Sequence, residues 1–400
     1  MKKNQLSYVL SIVGMICVAA NLRPAITSVG PIIGDIIKDM HLSNSQAGFI
    51  TTMPLLAFAV FSPIAPKLGR RFGNEKLIAI SLLVLAIGIW LRSIPSITPL
   101  FIGTAILGGA IAICNVLLPS FIKQNFSNHV GIMTSIYTTV MGVFASIASG
   151  ISISLEKSSS SGWEGGLTTW GILAIVTLVI WIPQLRNTVK IQNAKKRSVK
   201  TAGVWSSAVA WKVTFFMGLQ SLAFYVTVAW LPEILHSKGF DISTAAGLFS
   251  LMGFVGLPVT FIVPVLAYRF ANQKMFVVGI CVLYIIGLVG VLNPSTVFTV
   301  IGVICMGVGQ GASISLSYAF IGLRTRNAEQ AAELSGMAQS IGYLLAAVGP
   351  ILFGYLRDAS GSWTVSVMGL IIVCICMLPV GLGAAKNSYV TSNTIEKEDF

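Results

Sequence analysis

The sequence predicts an all-α membrane protein in which twelve transmembrane helices form two pseudo-symmetric bundles of six. Its 400 residues are 55% hydrophobic and 10% charged, whereas soluble domains carry about 25% charged residues. Apolar segments recur along the chain, most of them near the roughly 20 residues that a helix needs to cross a bilayer. A short motif of the first half returns 198 positions later. Together these features exclude a soluble globular protein.

Twelve apolar segments define the expected spans, six on each side of one basic stretch. They cover residues 6–36, 45–68, 76–94, 99–122, 130–154, 167–185, 212–235, 243–267, 275–292, 296–323, 331–356 and 363–385. The basic stretch contains Lys195-Lys196-Arg197. We expect an N-terminal bundle over 1–185, a linker over 186–211, a C-terminal bundle over 212–385 and a cytoplasmic tail over 386–400. The first segment has no cleavage site, so we expect it to remain as a transmembrane helix.

The Lys and Arg residues divide unevenly between the two sides of these spans. With both termini in the cytoplasm, 20 of the 26 fall on the cytoplasmic side and 5 outside, while Arg23 lies within a span. Cytoplasmic loops carry such an excess of basic residues, so the count predicts the orientation. It also accounts for the net charge of +13, because basic loops face anionic lipid head groups. We therefore expect contact with the lipid bilayer and no nucleic-acid partner.

A basic loop motif marks the internal repeat. The segment 71–76 (RFGNEK) follows the second span, and the segment 269–274 (RFANQK) follows the eighth. Two repeats of six spans, each in the same orientation, predict two parallel bundles. Transporters built from such repeats bind their solute near the bilayer midplane, where the repeats meet, and expose it alternately to the two sides.

Further motifs carry a resemblance to a known family. They are Asn21-Leu22-Arg23-Pro24, Asn115 with Leu118-Pro119, Gly218-Leu219-Gln220-Ser221 with Tyr225, Trp230-Leu231-Pro232-Glu233, Leu334-Ser335-Gly336-Met337-Ala338-Gln339, Gly342-Tyr343 and Gly349-Pro350. With the twelve spans and the two basic loops, the chain resembles the major facilitator superfamily. Within that superfamily it is similar to the family of cyanate and 2-nitroimidazole transporters.

The resemblance implies a secondary transporter in the bacterial plasma membrane. It implies a multi-pass monomer that binds a small-molecule solute, uses no cofactor and has protons as its candidate coupling ion. It also implies gating or structural roles for Arg71, Gly73 and Arg269. Arg70 stands where the superfamily pattern has an Asp, so the resemblance does not extend to the Asp-dependent latch between the two halves.

Arg23 is the residue on which the predicted site is centred. Its guanidinium keeps its charge at any ordinary pH, and placing it in mid-bilayer costs about 2.5–3.5 kcal/mol on insertion scales. Such side chains usually face a bundle interior or an aqueous cavity. We interpret Arg23 as the only cation buried in the membrane and as the anchor of an anionic or acceptor-bearing solute. A structural clamp on helix carbonyls is the alternative interpretation.

Other titratable groups are excluded from the middle of the spans. All Asp, Glu and His residues fall in loops, tails or span ends, so an intramembrane enzyme would lack a base and we expect no catalytic residues. Glu233, near the outer end of the seventh span, is the candidate for proton coupling. The six cysteines lie within apolar segments, and we expect small buried residues without a disulfide or metal site.

Neutral polar side chains within the spans complete the predicted site. The substrate-binding candidates beside Arg23 are Asn21, Asn115, Tyr137, Gln220, Tyr225, Gln310, Gln339 and Tyr343. Polar groups in lipid need partners, so each of them has helix-to-helix hydrogen bonding as its alternative role. The resemblance makes Tyr137 and Tyr343 candidate partners of Arg23. Pro24 and the pairs Gly30-Pro31 and Gly349-Pro350 are expected at gating bends.

Four functions remain to be compared. The first is alternating-access transport of a small polar or anionic solute similar to cyanate. The second is export of a neutral heteroaromatic or nitro compound, similar to 2-nitroimidazole, or of another drug. The third is a membrane enzyme, which the absence of mid-span acids and histidines disfavours. The fourth is a transporter-like sensor that binds a solute without moving it.

Overall fold

The computed structural model describes residues 2–42, 44–185 and 203–390, and all regular secondary structure in these residues is helical. Among them, eleven helices are long and apolar enough to cross a membrane. A twelfth crossing results if the bent pair Gly48–Phe61 and Ala65–Phe72 forms one span. The predicted all-α membrane fold is thereby confirmed.

The chain divides into two compact units. Unit 1 comprises Met1–Ser127 and Ile136–Thr201, and unit 2 comprises Asn128–Ser135 and Ala202–Phe400. Helices α1 to α9 are Lys2–Asn21, Pro24–Thr27, Ile33–Met40, Asn44–Phe61, Ala65–Phe72, Asn74–Arg92, Ile97–Asn125, Val130–Ser158 and Trp163–Leu185. Helices α10 to α15 are Ala208–Ser237, Ile242–Ala267, Lys274–Leu292, Thr296–Leu323, Ala328–Ser360 and Trp363–Ala384.

The first predicted span, residues 6–36, is not one regular helix, although Tyr8–Thr27 is long and apolar enough to cross a membrane. α1 ends at Asn21, α2 is a single turn that begins at Pro24, and a 3-10 turn at Gly30–Ile32 leads into α3. Proline has no amide hydrogen and disfavours a helical conformation in the preceding residue, which explains the break before Pro24. Arg23 therefore lies between two helices instead of inside one.

The second predicted span, residues 45–68, is broken as well. α4 ends at Phe61, α5 begins at Ala65, and the two helices are bent by 57°. Directly after α5, Gly73 has a φ of +90°, a conformation that glycine adopts without steric cost. Gly73 thus joins α5 to α6 through a turn that a residue with a side chain would strain.

Unit 1 packs α6 against both α7 and α9. A Cβ atom on Gly103 of α7 would lie 2.6 Å from the carbonyl oxygen of Gly88 on α6, so these two helices touch through their backbones. On the other side of α6, the indole nitrogen of Trp181 donates to the Glu75 carbonyl over 2.9 Å. Small residues permit such close contact between helices in membranes.

Unit 2 is organised around two close helix pairs, α10 with α14 and α12 with α13. A Cβ on Gly218 would lie 3.2 Å from the Cα of Gly342, and a Cβ on Gly302 would lie 2.6 Å from the carbonyl oxygen of Gly287. Cys376 on α15 is exposed, so the expectation that all six cysteines are buried inside the protein is wrong. The apolar length of the spans did not distinguish the protein interior from the lipid face.

The linker is shorter than residues 186–211. α10 begins at Ala208, after Ser207 in an extended conformation, because residues 208–211 (AVAW) are apolar and continue the helix. Residues 186–202 of the predicted linker lie outside the residues that the structure describes.

Arg324, directly after α13, connects three segments of unit 2. Its Nε donates to the Ala384 carbonyl over 2.7 Å, and its Nη2 donates to Gln273 Oε1 and to the Ala385 carbonyl. The carbonyl of Arg324 accepts from the N–H of Val390 over 2.8 Å. Burial lowers the pKa of the Arg324 guanidinium from its ordinary value. The first residues of the predicted tail are therefore packed against unit 2.

Candidate functional site

Arg23 occupies the break in the first span. It precedes α2 with φ −123° and ψ −37°, and only 8% of its surface is exposed. Its carbonyl accepts from the N–H groups of Ile26 and Thr27 over 2.9 and 3.0 Å. Arg23 is thus hydrogen-bonded to the single turn of α2 and places a permanent positive charge where that turn begins.

Arg23 is not the only buried cation, and that interpretation is wrong. Arg92 and Arg324 are each 1% exposed, although the count of basic residues places every Lys and Arg except Arg23 outside the spans. Arg92 ends α6 and donates from Nη1 to the Ala25 carbonyl over 2.6 Å. Long basic side chains at span ends can extend to the membrane interface or turn inward, and here both arginines turn inward.

Asn21 serves helix packing in unit 1. Its Nδ2 donates to Thr177 Oγ1 of α9 over 2.7 Å and to the Cys17 carbonyl over 2.9 Å. Both donors of the amide group are therefore used within the protein. These contacts fix the end of α1 immediately before Arg23.

Asn115 and Tyr137 meet in unit 1, as two of the predicted site residues. The Tyr137 hydroxyl donates to Asn115 Oδ1 over 3.1 Å, and both side chains are fully buried. Asn115 Nδ2 is buried and has no partner among the residues that the structure describes. A buried amide with an unused donor can donate to an acceptor atom of a ligand or of a water molecule.

Three glutamines place amide groups inside unit 2. Gln220 donates to Ser221 Oγ and to the Met217 carbonyl, and Gln339 donates to Ser335 Oγ over 2.8 Å. In the described part of the chain, no partner is found for the Oε1 atoms of Gln220 and Gln339 or for the Nε2 of Gln310. All three side chains are buried, so unit 2 has unused hydrogen-bonding capacity.

Tyr225 and Tyr343 form an aromatic pair between α10 and α14. Their ring centroids are 6.4 Å apart and their planes cross at 69°, the edge-to-face arrangement that aromatic rings favour. Tyr343 lies one helical turn after Gln339, so the two share a face of α14. The sequence predicted that shared face, and the contact of Tyr343 with Tyr225 is an addition from the structure.

The Gly349-Pro350 pair lies inside α14, which runs through it without interruption. A Cβ on Gly349 would lie 2.9 Å from Val226 Cγ2, and the Pro350 carbonyl accepts from the indole nitrogen of Trp230 over 2.9 Å. The pair thus brings α14 close to α10. Gly30-Pro31, in contrast, begins the 3-10 turn Gly30–Ile32 that leads into α3.

The loop residues and the candidate proton carrier lie at the surface of their own units. Arg71 and Arg269 are exposed, and the guanidinium carbon of Arg71 lies 5.3 Å from the centre of the Phe72 ring. Glu233 is exposed near the end of α10. Their roles in gating and proton coupling stay predictions.

Sequence reasoning missed several partners of these residues. Ser335 lies four positions before Gln339, and helical spacing alone could have identified that pair. Thr177 and Arg92 contact the first span from distant segments, and no local pattern in the sequence signals either contact.

The helical spans and the buried polar groups in each unit are typical of polytopic transporters. Residues 15–350 match the family model of the Major Facilitator Superfamily. The chain belongs to this superfamily and, within it, to the family of cyanate and 2-nitroimidazole transporters.

Curated bacterial proteins share most of the length of the chain. The uncharacterised transporter YycB of Bacillus subtilis (strain 168) is 50% identical over 95% of this chain and 94% of its own. The 2-nitroimidazole transporter of Escherichia coli (strain K12) is 38% identical over 96% and 97%. The cyanate transport protein CynX of the same organism is 24% identical over 92% and 96%.

A solved structure supports the fold. The proton:xylose symporter XylE bound to 6-bromo-6-deoxy-D-glucose aligns with a TM-score of 0.74 over 96% of this chain and 97% of its own. The sequences are 13% identical, so this similarity concerns the fold alone.

Proposed function

We propose that this transporter moves a small polar or anionic solute by alternating access and that Arg23 anchors the solute. The observation that carries the proposal is the position of Arg23, which is 8% exposed at the break between α1 and α2. An acceptor group on the solute would form charge-assisted hydrogen bonds with the guanidinium. Away from water these bonds are less screened, so a small solute gains much of its affinity from one residue.

The unused amide groups support a polar solute. Asn115 offers a buried donor in unit 1, and Gln220 and Gln339 offer buried acceptors in unit 2. A buried polar group without a partner costs about 1–3 kcal/mol. We propose that solute or water satisfies these groups during transport.

A second candidate solute is a neutral nitro-substituted heteroaromatic ring. The Tyr225–Tyr343 pair offers aromatic surface, and a nitro group would accept from Arg23 as an anion does. The 38% identity to a 2-nitroimidazole transporter favours this candidate. In this case the tyrosines contribute through ring contacts, whereas a linear anion would depend on Arg23 and the amides.

Competition in proteoliposomes tests both candidates. Purified protein is assayed for counterflow of labelled cyanate and of labelled 2-nitroimidazole, each with the other compound as competitor. Transport of cyanate with inhibition by other small anions supports the first candidate, and transport of 2-nitroimidazole alone supports the second. Binding without counterflow would indicate a sensor and contradict the proposal.

The tyrosine pair distinguishes the candidates further. For a ring-shaped solute, Tyr343→Leu should raise KM about two- to tenfold, because an aromatic pair contributes about 0.5–1.5 kcal/mol. Tyr343→Phe, the matched control, keeps the ring and should change KM little. A linear anion should respond to neither substitution.

The proposal also covers the coupling ion, the membrane and the oligomeric state. We propose that the protein acts as a monomer in the bacterial plasma membrane and carries out no covalent chemistry. If Glu233 carries the coupling proton, Glu233→Gln should abolish solute uptake driven by a pH gradient and preserve counterflow, which needs no net proton movement. Uptake that still follows the gradient in the variant would exclude Glu233.

A further inference from the structure

Arg92 is a fully buried arginine that takes no part in the proposed binding of solute by Arg23. It ends α6, is 1% exposed, and donates from Nη1 to the carbonyl of Ala25 over 2.6 Å. Its Nε and Nη2 are buried and have no partner among the described residues. A guanidinium carries five N–H donors, so its burial for one identified hydrogen bond requires an explanation.

The accepting carbonyl belongs to a turn that cannot satisfy it internally. α2 is one turn long, and the backbone hydrogen bonds of this turn end with the N–H of Ser28, which donates to the Pro24 carbonyl over 3.0 Å. In the described structure, the next carbonyl, that of Ala25, receives Arg92 instead. Arg92 therefore supplies from another helix the bond that a continuous helix would provide.

Close backbone packing holds Arg92 at this place. A Cβ on Gly103 of α7 would lie 2.7 Å from the Cα of Arg92, so only a glycine lets the end of α6 approach α7 so closely. The guanidinium is a planar, rigid fork. The backbone of Arg92 is held by its contact with Gly103, and its guanidinium is held by the hydrogen bond to the Ala25 carbonyl. Together these two contacts define the position of the Arg92 side chain.

We propose that Arg92 is a positioning residue for Arg23, an inference that rests on the proposed function. Arg23 and Ala25 belong to the same turn, because the Arg23 carbonyl accepts from the N–H groups of Ile26 and Thr27, and these hydrogen bonds enclose Pro24 and Ala25. Fixing the Ala25 carbonyl fixes the direction in which Arg23 leaves the chain. Arg92 also adds a second positive charge near the break between α1 and α2, which favours a solute with a hydrogen-bond acceptor or a negative charge.

The test compares Arg92→Met and Arg92→Lys with the wild type in lipid nanodiscs and proteoliposomes. Hydrogen–deuterium exchange is measured by mass spectrometry over peptides covering residues 22–32. KM and maximal rate are measured with whichever of cyanate and 2-nitroimidazole the wild type transports. Arg357→Met is the matched control, since Arg357 is exposed and its ion-pair partner is the adjacent Asp358.

The proposal predicts a local effect. Arg92→Met should speed hydrogen–deuterium exchange in residues 22–32 and leave exchange in the other helices unchanged. Its KM should be about tenfold higher, as expected for the loss of a hydrogen bond from a charged donor, and its maximal rate should be similar to that of the wild type. Arg92→Lys retains one charged donor and should recover most of the protection and affinity. Arg357→Met should match the wild type in both measurements.

Three results would overturn the proposal. One is unchanged exchange in residues 22–32 of Arg92→Met, the second is a faster exchange spread evenly over unit 1, and the third is a KM equal to that of the wild type. If Arg92→Met does not fold, Arg92→Lys is compared with Arg357→Met instead. The proposal then requires that exchange in residues 22–32 is faster in Arg92→Lys than in Arg357→Met. Failure of the proposed function appears separately, as absence of transport by the wild type, while exchange still decides the role of Arg92.

Discussion

Tyr137 donates a hydrogen bond to Asn115 Oδ1 over 3.1 Å, and both side chains are fully buried. The bond joins α8 to α7 and fixes the orientation of the Asn115 amide, because its oxygen must face Tyr137. The Nδ2 donor is thereby directed elsewhere and has no partner in the described part of the chain. One residue thus combines a structural contact with an unused donor.

Removing the Tyr137 hydroxyl should destabilise the protein. Tyr137→Phe leaves Asn115 Oδ1 buried without its donor, and we expect the free energy of unfolding to fall by about 1–3 kcal/mol. Unfolding of the detergent-solubilised protein, followed by tryptophan fluorescence, measures the change. Tyr355→Phe on exposed α14 surface is the control and should stay within about 0.5 kcal/mol. Equal losses in the two variants would contradict a special role for the Tyr137 bond.

Arg324 should be a larger contributor to the stability of unit 2. Arg324→Met removes three hydrogen bonds that reach Gln273, Ala384 and Ala385 and leaves their oxygens buried. We expect a loss of about 3 kcal/mol in the free energy of unfolding. The same unfolding assay measures it, with Arg357→Met, at an exposed position, as the matched control. A loss below about 0.5 kcal/mol, the range of ordinary surface substitutions, would contradict this role.

Tyr268 should make stability depend on pH in the alkaline range. Burial raises the pKa of its phenol, while the nearby Arg324 charge acts in the opposite direction. The folded state therefore holds the proton more tightly than the unfolded state, whose tyrosines titrate near the ordinary value of about 10. The resulting stability is present below pH 10 and is lost as pH rises above it.

The measurement is the difference between wild type and Tyr268→Phe in unfolding temperature from pH 8 to pH 11. The wild type should lose more stability than the variant above about pH 10, and the difference between them should be constant below that value. Parallel curves over the whole range would show that Tyr268 does not contribute.

Much of the fold follows from the length and spacing of apolar segments. These features predict the long helices well, because backbone groups in lipid must be satisfied within a helix. The shared face of Gln339 and Tyr343 follows from helical spacing in the same way. The burial of Asn115 and Tyr137 follows from the cost of exposing polar groups to lipid.

The sequence was less informative at span ends. The count of basic residues places every Lys and Arg except Arg23 outside the spans, because an apolar pattern does not tell whether a flanking arginine such as Arg92 or Arg324 extends to the interface or turns inward. Both turn inward because carbonyls of broken or ending helices, at Ala25 and at Ala384, lack donors of their own. These acceptors arise from tertiary structure, and so does the packing of Val390 beside Arg324.

The most direct test of the central claim is counterflow by Arg23→Gln in proteoliposomes. Cyanate and 2-nitroimidazole are both assayed, with Arg357→Gln at an exposed position as the matched control. If Arg23 anchors the solute, transport of the wild-type solute should fall at least about tenfold in Arg23→Gln, since a bond from a charged donor is lost. The unfolding temperature should stay near that of the wild type. Equal counterflow in Arg23→Gln and wild type would contradict the account and make Arg23 a structural residue of the broken first span.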